Sequence, residues 1–184
     1  MKQVKLLLLI IACTTIFATC KKTNTTTDEP QLPPETQTGA FTIGFKVDGV
    51  IYIAKGKGGL LADQHMYYSY TNDSVFNIGA GSLKDKRFNI DITFKGYSLN
   101  YQSPLTISPF KATFYDNSNG TVSSNSNTFS TSLNNNGKVV VKYFNGTFYS
   151  GNSGTIVSGI FEFDAINSNG KIIKITEGRF DIGF

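Results

Sequence analysis

One histidine, two cysteines and no tryptophan in 184 residues leave little material for chemistry. His65 stands alone, so an imidazole-cluster metal site is excluded. As a general base it would need a nucleophile and an orienting carboxylate brought close in space, and beside Asp63 it reads as a solvated loop histidine. Glu162 and Asp164 lie two apart on one strand face, the spacing of a glycosidase carboxylate pair. They fall on the wet side of that strand, with Lys174 opposite Asp164, and a surface ion pair is the expected reading. A hydrolase would have to bring carboxylates together from separate strands, such as Asp91 with Glu162. No catalytic residue, cofactor site or metal ligand is assigned.

Weaker motifs reduce in the same way. Asp116-Asn117-Ser118-Asn119-Gly120 starts like an EF-hand loop, but its glycine is fifth instead of sixth, and Asn127 stands where the bidentate Glu belongs. Gly56-Lys57-Gly58-Gly59 and Gly79-Ala80-Gly81 lack the strand-to-helix setting in which backbone amides cradle phosphate, and read as turns or bulges. Asp73-Ser74-Val75 resembles a short bacterial O-glycosylation sequon at Ser74; a plain turn is the expected reading. The most suggestive surface feature is tyrosine: Tyr67, Tyr68 and Tyr70, with Tyr97 and Tyr101, are amphipathic rings of the kind found in ligand sites and interfaces. Their competing reading is a sheet core with hydroxyls at the rim. The missing tryptophan weakens the case for a sugar-stacking platform.

Residues 1–19 read as an export signal, with Lys2 and Lys5 ahead of an apolar run from Leu6 to Ile11. At about 15 mostly apolar residues it is shorter than the ~20 that span a bilayer. Phe17-Ala18-Thr19-Cys20 resembles a lipobox, the bacterial site where cleavage leaves an N-terminal cysteine carrying diacylglycerol, with chains such as palmitate; Phe17 departs from the usual Leu. Cys13 is the rival, at the cost of a very short apolar region. Acylation of Cys20 anchors a soluble domain, because two or three chains hold where one does not. The processed chain then has no thiol, hence no disulfide, catalytic cysteine or thiolate metal site.

The formal charge of the whole chain is +4, from 17 basic and 13 acidic residues. Loss of Lys2 and Lys5 with the signal leaves 15 basic residues and a charge of +2. The densest basic group, Lys84-Asp85-Lys86-Arg87, is broken by an aspartate and reads as a charged hairpin turn. Nucleic-acid binding is therefore not expected.

Residues 20–39 are rich in Thr and Pro and read as a disordered tether beginning at the lipidated Cys20. Lys21 and Lys22, followed late by Asp28 and Glu29, leave periplasmic and surface placement at the outer membrane both open. Residues 40–184 suffice for one core. Phe41, Ile43, Phe45 and Val47 alternate, Asp48-Gly49 makes a two-residue turn, and Val50 to Lys55 returns, setting Phe45 against Tyr52 and Ile43 against Ala54. Strands follow at Met66–Thr71, Val75–Ala80, Arg87–Lys95, Lys111–Tyr115, Thr128–Ser132 and Lys138–Phe144, with no helical periodicity. About ten strands with polar turns point to an all-β domain: a single antiparallel β-sandwich or a partly open barrel.

The C-terminal run from Gly154 to Phe184 organises that domain. Phe161, Phe163 and Ala165 alternate with Glu162 and Asp164, and Ser168-Asn169-Gly170 closes a hairpin that pairs Ala165 with Ile173 and Phe163 with Ile175. The apolar set then changes parity, from Ile173 and Ile175 to Phe180, Ile182 and Phe184, so one extra residue must be absorbed; a β-bulge is expected at Glu177-Gly178.

Phe45-x-Val47-Asp48-Gly49-x-x-Tyr52-x-Ala54, Ser158-Gly159-x-Phe161-x-Phe163 and Thr176-Glu177-Gly178-Arg179-Phe180-Asp181 resemble a group of small Gram-negative lipoproteins catalogued as a domain of unknown function. The resemblance covers both ends of the domain and omits its Asn/Ser-rich middle; Tyr52 stands where that group carries an aromatic such as Trp. It implies a β fold and an envelope address, and carries over no site residues. The expected function is a non-catalytic, lipid-anchored module for a glycan, an apolar ligand or an envelope protein. The alternative is the carboxylate hydrolase.

Overall fold

A computed structural model of the chain describes residues 30–56, 63–70, 75–83, 86–95, 104–116, 127–131, 137–145 and 154–183. The expected signal, Cys20, Ser74, Tyr97, Tyr101 and most of the calcium-like loop lie outside them.

Alternating sequence becomes eleven strands: β1 (Thr42–Val47), β2 (Val50–Lys55), β3 (Gln64–Tyr70), β4 (Val75–Ser82), β5 (Phe88–Lys95), β6 (Leu105–Ile107), β7 (Phe110–Asp116), β8 (Thr128–Ser130), β9 (Gly137–Phe144), β10 (Ile156–Ile166) and β11 (Ile172–Gly183). All pairings are antiparallel, in the order β2-β1-β11-β10-β8-β7-β5-β4-β3, with β9 joining β10 and β6 beside this path. The sheet curls until β2 approaches β3, a nearly closed, barrel-like form of the expected all-β fold. β6 is the strand that sequence reading missed; three residues are too few to display a period.

Packing follows the alternation. Phe45, fully buried, is ringed by Phe88 at 5.4 Å, Tyr52 at 5.7 Å, and Phe114 and Phe161 at 5.9 Å between centroids. Burial of each such side chain stabilises by about 1.5–3 kcal/mol, and edge or stacked ring contacts add about 0.5–1.5 kcal/mol per pair. A second group joins Phe76, Phe94 and Phe144. The buried core thus combines these rings with Ile, Val and Ala side chains such as Ile43, Ile90, Ile92 and Val139.

The β1–β2 register is the expected one, with Phe45 opposite Tyr52 and Ile43 opposite Ala54. At the seam, β2 presents backbone groups that polar side chains meet: Lys86 Nζ donates to the Ile51 carbonyl at 2.7 Å, and the Lys55 N–H donates to Gln64 Oε1 at 2.9 Å. Lys86 Nζ also sits 5.0 Å above the Tyr52 ring. Such caps satisfy an edge that would otherwise template another strand.

β10 and β11 form the expected hairpin, pairing Phe163 with Ile175, Asp164 with Lys174 and Ala165 with Ile173. Asn167 Oδ1 shapes the turn by accepting the N–H groups of Asn169 and Lys171 at 3.1 and 2.9 Å, and Gly170 takes φ +78°. The register shifts once, between Phe161 opposite Gly178 and Phe163 opposite Ile175. The bulge lies where parity placed it, but Glu177 is the left-handed residue, at φ +51°. Gly178 serves a different end: a Cβ there would stand 2.5 Å from the Phe161 ring and carbonyl.

The folded unit starts earlier than Ala40. Residues 31–39, expected to belong to the tether, are docked as a strap against β1 and β11. Pro33 is buried over Gly44, where any Cβ would overlap it, and its carbonyl accepts Arg179 Nη1 at 3.0 Å. Asp181, 1 % exposed, accepts the Thr36 hydroxyl at 2.6 Å and the N–H groups of Gly39 and Thr38 at 2.8 and 3.0 Å. Glu35 pairs with Lys142. The Thr/Pro composition that signals disorder is overridden by one buried carboxylate that gathers the strap's donors.

Candidate functional surface

β3, β4 and β5 are held in an unbroken ladder, which lines up three rows across their outward face. His65 faces Gly81 and Asn89; Tyr67 faces Gly79 and Asp91; Ser69 faces Asn77 and Thr93. The inward neighbours Met66, Ile78, Ala80, Ile90 and Ile92 are buried, so the core fixes which residues look outward.

The first two rows depend on missing side chains. A Cβ at Gly79 would overlap the Tyr67 ring, and one at Gly81 would come within 2.5 Å of His65 Cε1. The Gly79-Ala80-Gly81 run is therefore neither turn nor bulge; it lies within β4 and lets two rings from β3 reach across toward β5. The rings are nearly parallel, 13° apart with centroids at 6.3 Å. The Tyr67 hydroxyl donates to Asp91 Oδ1, and Tyr67 remains 45 % exposed. Along the third row, Asn77 Nδ2 donates to Ser69 Oγ at 3.0 Å and Thr93 Oγ1 donates to Asn77 Oδ1 at 2.7 Å.

Burial raises the Asp91 pKa, against the opposing field of His65. His65 itself is half-buried on a strand and not in a solvated loop. The three candidate tyrosines do not form one patch, because alternation along β3 sends Tyr67 and Tyr68 to opposite faces. Tyr68 is 38 % exposed, opposite Ile78, and Tyr70 is the register partner of Phe76.

The other chemical candidates are separated. Asp91 on β5 and Glu162 on β10 are three strand spacings apart across β7 and β8, about 14 Å along the sheet, and four residues apart along it, about 13 Å. Glycosidase carboxyls lie within about 5–9.5 Å. Glu162 pairs with Lys138 at 3.0 Å, at the edge of a shallow depression of about 420 Å³ also lined by Asp164 and Thr176. Among the described residues, no three His, Cys, Asp or Glu side chains converge as a metal site.

The sequence points to Tyr67, but it reads His65 as a solvated loop residue and Gly79-Ala80-Gly81 as a turn or bulge, and it does not mark Asn89. The available signal was Gly-x-Gly inside an otherwise apolar strand run, where the absence of side chains marks a close approach. No protein-family model, curated protein or solved structure matches the chain.

Proposed function

We propose that this protein is a lipid-anchored module of the cell envelope that binds a partner and does not transform it. Cys20 carries the anchor, the chain sits at the outer membrane, and residues 31–184 form the working domain. The observation that carries this reading is Tyr67, exposed yet held by Asp91 over a glycine floor on the outer face of a barrel whose interior is packed with Phe, Ile, Val and Ala side chains. A ring fixed before binding loses little freedom when a partner lands on it. The filled interior argues for a surface ligand over an apolar guest, and the separation of Asp91 from Glu162 argues against the hydrolase.

Intact-mass measurement of the detergent-extracted chain tests the anchor. The expected species begins at Cys20 and carries diacylglyceryl mass, whereas an unmodified chain in the soluble fraction overturns it. Protease treatment of intact cells then separates surface from periplasmic placement.

A further inference from the structure

Resting on that reading, we propose that the outward rows of β3, β4 and β5 around Tyr67 form a carbohydrate-binding platform for an uncharged glycan. Three observations carry it. Tyr67 is a positioned aromatic ring with its hydroxyl engaged and almost half its surface exposed, and the C–H face of a pyranose packs against such a ring. Around it stand side chains that suit vicinal hydroxyls: the Asp91 carboxylate, the Asn77 and Asn89 amides, and the His65 ring. Asn89 Oδ1 lies over Gly81 beside His65, so amide and ring share one small area of the surface.

The third observation is charge. None of the outward residues in the three rows of β3, β4 and β5 is Lys or Arg; Lys111 on β7 adjoins Thr93 at the end of the third row, and Lys95 lies one row further along β5. An anionic ligand would have to settle over the Asp91 carboxylate at the centre of the rows, whereas a neutral polyhydroxyl ligand has no such penalty. A protein partner is less well suited, since interface centres are apolar and these rows are hydroxyls and amides around one large ring. Tyrosine takes the stacking role here in a chain that has no tryptophan.

The test uses the full-length chain in detergent and affinity electrophoresis against soluble neutral polysaccharides (glucans, mannan, xylan, chitooligosaccharide), with alginate as the anionic control. Retardation by at least one neutral polysaccharide is expected, with binding about tenfold weaker in Tyr67→Ala. Tyr67→Phe, which keeps the ring, should retain most of the binding, and Lys142→Ala, on the strapped side, should change nothing. Circular dichroism checks that Tyr67→Ala is folded; if it is not, Asp91→Asn substitutes, with weakened retardation expected. No retardation by any neutral polysaccharide, retardation by alginate alone, or retardation insensitive to the Tyr67 and Asp91 variants overturns the platform. Crosslinking to an envelope protein through this face, without polysaccharide binding, overturns the glycan while leaving the binding module standing. Neither kind of partner overturns both.

Discussion

The Asp181 carboxylate accepts the Thr36 hydroxyl at 2.6 Å, tying the strap that precedes β1 to the last strand across 145 residues of sequence. Burial alone would raise this acid's pKa. The hydrogen bonds from Thr36 and from the N–H groups of Thr38, Ala40 and Gly39 outweigh burial and hold it below the ordinary carboxylate value.

Asp181→Asn should therefore lower stability at neutral pH by about 1–3 kcal/mol, because an amide presents a donor to donors. The pH dependence follows from the depressed pKa. Stabilisation is complete above the unfolded value, ~3.9, and is lost as pH falls through the folded one. Urea midpoints measured from pH 7 down to pH 2 should converge for the two proteins at the acid end. Parallel curves would show that another group controls the acid limb.

At the bulge the two residues have separate duties, and a pair of substitutions distinguishes them. Gly178→Ala places a methyl against the Phe161 ring and carbonyl, and overpacking of this kind costs about 1–3 kcal/mol. Glu177→Gly relieves a left-handed glutamate, a strain of about 1–2 kcal/mol, and gives up an exposed ion pair to Lys46 contributing about 0–1 kcal/mol. Chemical denaturation should find the first variant clearly destabilised and the second equal to the parent or slightly more stable.

Phe45 packs against four other rings, and Phe45→Ala should cost about 3–5 kcal/mol. That is a large share of a stability of about 5–15 kcal/mol. A markedly lowered thermal midpoint with near-ultraviolet tyrosine signal reduced is the expected readout.

How much was legible depends on the range of the interaction. Alternation between Phe161 and Ala165, the Asn167 turn and the parity change before Phe180 are local, and they place the hairpin and its bulge correctly. What decides the strap is one carboxylate far along the chain: nothing in the composition of residues 31–39 shows that Asp181 awaits their N–H groups. The surface around Tyr67 has the same character. Gly79 and Gly81 look like turn residues until a ring from the neighbouring strand is seen to occupy the space they leave.

That occupancy has a measurable consequence for Asp91. Its pKa is raised chiefly by burial, with His65 opposing, and the Tyr67 hydroxyl donates to its Oδ1. The Tyr67 hydroxyl is a donor that favours the charged carboxylate, and removing it alone leaves the ring in place. In Tyr67→Phe, the Asp91 carboxyl followed by carbon-detected NMR titration should therefore move further up from the ordinary value. Removing His65 withdraws a cationic field while it is protonated, so His65→Ala should move the Asp91 value further up. Upward shifts from both substitutions would tie the titration to this arrangement, since a general loosening of β3 admits water to the carboxylate and would lower the value in both variants.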